Sequence, residues 1–85
     1  MTKYELRPIY DHCKSFYGKA WVREEEECKT LISYNTTVAR IDRQGNAVVY
    51  GTYSATTLRH IKEFLKQSDM SADSKAQIEK DYLKR

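Results

Sequence analysis

An 85-residue chain with 32% charged and 40% hydrophobic side chains reads as one soluble globular domain, residues 1–85. Its apolar runs are too short to span a bilayer, its first residues, MTKYELRPIYDH, carry no apolar signal segment, and a net charge of +3 is no nucleic-acid signature by itself. These totals point to a cytoplasmic protein without a membrane partner, in which Cys13 and Cys28 are reduced thiols or ligands rather than a disulfide.

In chain order, Leu6, Ile9 and Cys13 stand at helical spacing. They predict a short N-terminal helix or an ordered arm, with Pro8 restricted to the first turn. Residues 16–24, FYGKAWVRE, predict a strand with Ala20 and Val22 on one face and Trp21 on the other. The acidic run Glu24, Glu25, Glu26 and Glu27 follows as a solvated turn or exposed strand end. Residues 28–33 and the β-branched segment 36–42 predict two further strands. Asp42, Gly45 and Asn46 in DRQGN mark a hairpin turn, after which 47–53 returns as a fourth strand. Connections this short pair strands as an antiparallel meander.

After Tyr53 the apolar period changes from two to 3.6. Leu58, Ile61 and Leu65 form one stripe, with Arg59, Lys62, Glu63 and Lys66 on the other side, which predicts an amphipathic helix on the sheet. Ser54 or Thr56 supplies its cap. Ser71 or Asp73 opens a last helix whose apolar stripe, Ile78 and Tyr82, is thin. The fold expected is α+β: a three- to four-stranded antiparallel β-meander packed by an amphipathic helix, with a short C-terminal helix.

Three segments carry a resemblance: SFYGKA at 15–20, SYNTTVARID at 33–42 and YSATTLRHIKEFLKQ at 53–67. In that order they resemble a family of small proteins of unknown function from phages and prophages of Gram-positive bacteria. The resemblance implies a mobile-element setting, a host bacterial cytoplasm and a compact β-then-α domain. It implies no catalytic mechanism. Small phage proteins of this size often counter host defences, and anti-CRISPR inhibitors of CRISPR nucleases are one such group; that expectation rests on setting.

For catalysis the residues offer little. The three Gly are scattered, and neither a nucleophile elbow nor an H-E-x-x-H helix occurs. A Cys13–His60 thiolate pair is conceivable, but nothing in the spacing demands it. The expectation is a protein that is not an enzyme. The inventory of His12, Cys13, Cys28 and His60 equals the ligand set of a tetrahedral structural zinc site. Adjacent His12 and Cys13 suit it badly and no C-x-x-C knuckle exists, so small buried thiols and a helix-edge histidine are the simpler account.

Two binding chemistries remain. Four consecutive carboxylates, Glu24 to Glu27, imitate a phosphate backbone and suit a basic groove on a nucleic-acid enzyme, with Trp21 as an aromatic anchor. Alternatively, Arg59, Lys62 and Lys66 on one helix face attract phosphates, and exposed Tyr stack on bases. The leading expectation is a phage accessory protein that binds a host protein, most concretely a CRISPR nuclease, and blocks its nucleic-acid loading. The alternative is a small nucleic-acid-binding domain, with or without structural zinc.

Overall fold

The computed structural model describes residues 2–11, 15–51 and 54–83. Five strands, β1 (Thr2–Glu5), β2 (Ala20–Glu24), β3 (Cys28–Ser33), β4 (Thr36–Asp42) and β5 (Ala47–Val49), lie in chain order in one antiparallel sheet. Two helices follow, α1 (Ala55–Gln67) and α2 (Lys75–Tyr82). The fold is α+β, with one strand more than the sequence pattern gives.

The extra strand stands where a short N-terminal helix or an ordered arm was expected. Thr2 pairs with Glu24 and Tyr4 with Val22 along the edge of β2. The strand pairing satisfies backbone groups that a helix interrupted by Pro8 would leave open. Residues 6–11 then run back along α1, with Leu6 buried in the core.

Turn chemistry sets the register. Tyr34 and Asn35 alone join β3 to β4, both with positive φ, 50° and 66°, the requirement of a tight primed turn. Between β4 and β5, Asp42 Oδ1 accepts the backbone N–H groups of Gln44 and Asn46, each at 2.9 Å, while Gly45 takes φ 89°. In β4 the register shifts beside Leu31, leaving Val38 opposite no residue of β3. This bulge lets Val38 and Ala39 both enter the core.

Period-two alternation gives the sheet two faces. Ala20, Val22, Leu31, Ser33, Ala39, Ile41 and Val49 face α1 and the core, joined by Ile61, Phe64, Leu65 and, from α2, Ile78. The other face carries half-buried Trp21, Ile32 and Val48. Ser54 caps α1 as expected, its Oγ accepting the Thr57 N–H. α2 starts later than Ser71 or Asp73 suggests, because Ser74 is the cap.

One member of the expected polar face of α1 is displaced. Glu63 is 2% exposed, with Oε1 accepting the N–H groups of Tyr10 and Asp11, each at 3.0 Å. Gln67 Nε2 donates to Glu63 Oε2 and to the Arg7 carbonyl, both at 2.6 Å. The returning N-terminal segment covers Glu63, and its own backbone satisfies the carboxylate.

Candidate functional site

A meander brings alternate connections to opposite ends of the sheet, and the two ends differ in chemistry. One end holds the β2–β3 tip, residues 25–27, and the β4–β5 turn, residues 43–46. The other holds the entry to β2, the Tyr34–Asn35 turn and the N-terminus of α1. All three segments that carry the family resemblance meet at this second end.

The entry to β2 is a built turn. Tyr17 and Gly18 take φ 54° and 73°. Ser15 Oγ accepts the Tyr17 N–H at 2.9 Å, Glu5 Oε2 accepts the Gly18 N–H at 2.8 Å, and Trp21 Nε1 donates to the Gly18 carbonyl at 2.7 Å. Lys19 closes the turn onto the Phe16 carbonyl, and the Tyr34 N–H bonds the Lys19 carbonyl. Left-handed backbone is uncommon for a bulky residue, yet Tyr occupies it in both neighbouring turns. Tyr17 is 77% exposed and Tyr34 47%.

Beneath the turns lies His60, on the second turn of α1 and 1% exposed. Its ring meets Phe16 edge-on at 4.5 Å between centroids, and Tyr34 at 5.9 Å. Ser54 Oγ donates to Thr57 Oγ1, Thr57 Oγ1 lies 3.2 Å from Ser33 Oγ, and Ser33 Oγ lies 2.8 Å from His60 Nδ1. With Ser54 donating at the head, one arrangement of this relay has each hydroxyl donate toward the ring, so that Nδ1 accepts. In that arrangement the neutral imidazole carries its hydrogen on Nε2; in the other, Nδ1 donates to Ser33 and Nε2 is a bare acceptor. Nε2 has no hydrogen-bond partner among the described residues.

Burial holds His60 below the ordinary histidine value of 6.5, helped by the nearby charges of Arg59 and Lys19 and opposed by Asp11. Arg59 itself forms a two-pronged pair with Asp11, Nε to Oδ2 at 3.0 Å and an Nη2–Oδ1 contact. Lys19 Nζ lies over the Tyr34 ring, 5.5 Å from its centroid. A pocket of about 220 Å³ opens here, lined by Phe16, Tyr17, Tyr34 and His60, by the cations Lys19 and Arg59, and by Ser15 and Thr56.

The acidic run sits at the opposite end. Glu24 accepts the Tyr4 hydroxyl at 3.1 Å, and Glu25 pairs with Arg23 at 2.9 Å. Glu25, Glu26 and Glu27 are exposed at the hairpin tip, where they share a groove with Arg40 and Cys28. Arg43 stands beside Glu27. The carboxylates are thus interleaved with guanidinium groups. Trp21, on the half-buried sheet face, has Lys3 Nζ 5.5 Å over its ring.

The zinc set is not assembled by what is visible. His12 and Cys13, like Lys14, lie outside the described residues. Cys28 opens β3 on the face away from α1, whereas His60 meets Ser33 at the strand's other end. Five residues of strand separate those ends by about 17 Å. Among the described residues no group of three or more His, Cys, Asp or Glu could hold a metal ion. Arg59, Lys62 and Lys66, the expected cationic helix face, line one small cleft together with Tyr10 and the carboxylates Asp11 and Glu63, apart from Arg40 and Arg43.

Phe16, Tyr17, Lys19, Ser33 and Tyr34 belong with His60, a grouping that sequence reasoning missed. The signal that could have found it is the Tyr-Gly and Tyr-Asn pairs, where bulky rings occupy turn positions that favour Gly or Asn. Among the described residues, no helix is long and apolar enough to cross a membrane. The chain finds no match among curated proteins. It finds none among solved structures either. Residues 4–80, nearly the whole chain, match one family of unknown function. The chain belongs to that family, DUF8033.

Proposed function

We propose that this protein is a non-enzymatic accessory module that binds single-stranded nucleic acid at the His60 end of the sheet. One observation carries this reading. Two exposed tyrosine rings are held by left-handed turns at a pocket that also presents Lys19 and Arg59. Aromatic faces with neighbouring cations are the elements that grip a single strand, because every base has a face to stack and every phosphate a charge to neutralise. Ser33 and His60 stand at nucleophile–base distance, yet Ser33 is 2% exposed, so its hydroxyl serves the core. Fluorescence anisotropy with labelled oligonucleotides tests the reading. Tyr17→Ala with Tyr34→Ala should weaken binding about tenfold or more, since each stacked base contributes about 1–3 kcal/mol. Full affinity in the double variant would remove this surface from the mechanism.

A second reading keeps the phage or prophage setting and makes a host protein, such as a CRISPR nuclease, the partner. The observation in its favour is the exposure of Glu25, Glu26 and Glu27 at a projecting hairpin tip. The interleaved Arg23, Arg40 and Arg43 weaken the imitation of a phosphate backbone. A nuclease-inhibition assay with Glu24 to Glu27 replaced by Gln separates the two readings, because only the second needs those carboxylates.

A further inference from the structure

Among the described residues, buried His60 is partnered on one ring nitrogen alone. Nδ1 is bonded to Ser33, but Nε2 meets no partner among the described residues. A buried polar nitrogen without a partner is costly, and an apolar ring of similar size would avoid that cost. His60 lines the pocket of about 220 Å³; with Ser33 donating to Nδ1, an oxygen acceptor entering there would satisfy the Nε2 hydrogen once the rings that enclose it part. Lys19 and Arg59 line the same space, and the first turns of α1 add their positive dipole end. An anionic oxygen therefore suits the pocket better than a carbonyl. Its volume lies below the ~300–1,000 Å³ of drug-sized ligand sites. It suits one compact unit rather than a strand passing through.

We propose that this pocket binds the phosphate monoester of one nucleotide, free or at the end of a strand, with a phosphate oxygen on His60 Nε2 and the base against the exposed Tyr17 ring. This names the ligand class for the surface described above and rests on that reading. A phosphate diester lacks the second charge that Lys19 and a helix N-terminus reward beside the Asp11-paired Arg59. Asp11 pairs with Arg59 through two contacts and fixes its guanidinium in place, and is itself not among the residues that line the pocket.

Calorimetric titration with three probes tests it: a thymidine monophosphate, a 5′-phosphorylated short oligo-dT, and the same oligomer with a 5′-hydroxyl. The mononucleotide should bind saturably, and the phosphorylated oligomer about tenfold tighter than its hydroxyl twin, a difference lost in His60→Phe. Should that variant fail to fold, Lys19→Gln at an exposed position must lose the same difference. The His60 Nε2 resonance of the unaltered protein must also move when the mononucleotide is added. Twin oligomers binding equally, with no mononucleotide binding, overturns this proposal and leaves the single-strand reading standing. Mononucleotide binding without either oligomer supports the pocket and overturns the single-strand reading. No binding by any probe overturns both.

Discussion

His60 is the residue on which most of this account turns. It falls on the core side of α1, 1% exposed, although the Leu58, Ile61 and Leu65 stripe alone does not require a polar ring there. Its partner Ser33 is 27 residues away, which is why the sequence left it between metal ligand, thiolate partner and helix-edge histidine. Its proton affinity gives a signed expectation. The folded value is below 6.5, so below that pH the unfolded chain binds more protons and stability falls. The loss ends once pH is below the folded value. The denaturant midpoint should therefore decline as the solution is acidified from pH 6.5, and His60→Phe should remove that component. A midpoint that declines equally in both proteins would assign the effect to other groups.

At the scale of elements, local chemistry and long-range packing divide the work. The β4–β5 hairpin was readable because Asp42, Gly45 and Asn46 act on their own neighbours. A Cβ at Gly45 would meet nothing within 4 Å, yet φ 89° strains any other residue. Gly45→Ala should cost about 1 kcal/mol, from backbone conformation alone, in a urea melt. Ser54 was readable as a cap for the same local reason, and Ser54→Ala should cost about 1 kcal/mol by the same measurement. Glu63 was not readable. Its helical position gives a solvated face, and only the returning segment of residues 7–11 reverses that. Glu63→Ala leaves the Tyr10 and Asp11 N–H groups without their acceptor. Hydrogen exchange at those two amides should accelerate well above that of Ile61, and unchanged exchange would show that the carboxylate does not hold the segment.

The whole molecule is a sheet with unlike ends, a property that composition averages away. A net charge of +3 conceals an acidic hairpin tip at one end and an aromatic, cationic pocket at the other. The meander itself was legible, because alternation and short connections fix antiparallel pairing without distant information. The fifth strand was missed because β1 depends on the free edge of β2, which no local pattern announces. The site was missed for a related reason: its residues come from three segments that only the sheet order brings together. If that end binds a strand, replacing Glu24 to Glu27 by Gln should leave binding intact or tighten it, and Lys19→Gln should lower the salt slope by about 0.7.

The most direct measurement is an amide NMR titration of the uniformly labelled protein with a short single-stranded oligonucleotide. Binding at the proposed site predicts saturable shifts at Tyr17, Gly18, Lys19, Tyr34, Arg59 and His60, with Glu26, Glu27 and Arg43 unmoved. Shifts confined to the acidic hairpin tip, or none at any concentration, would contradict the account.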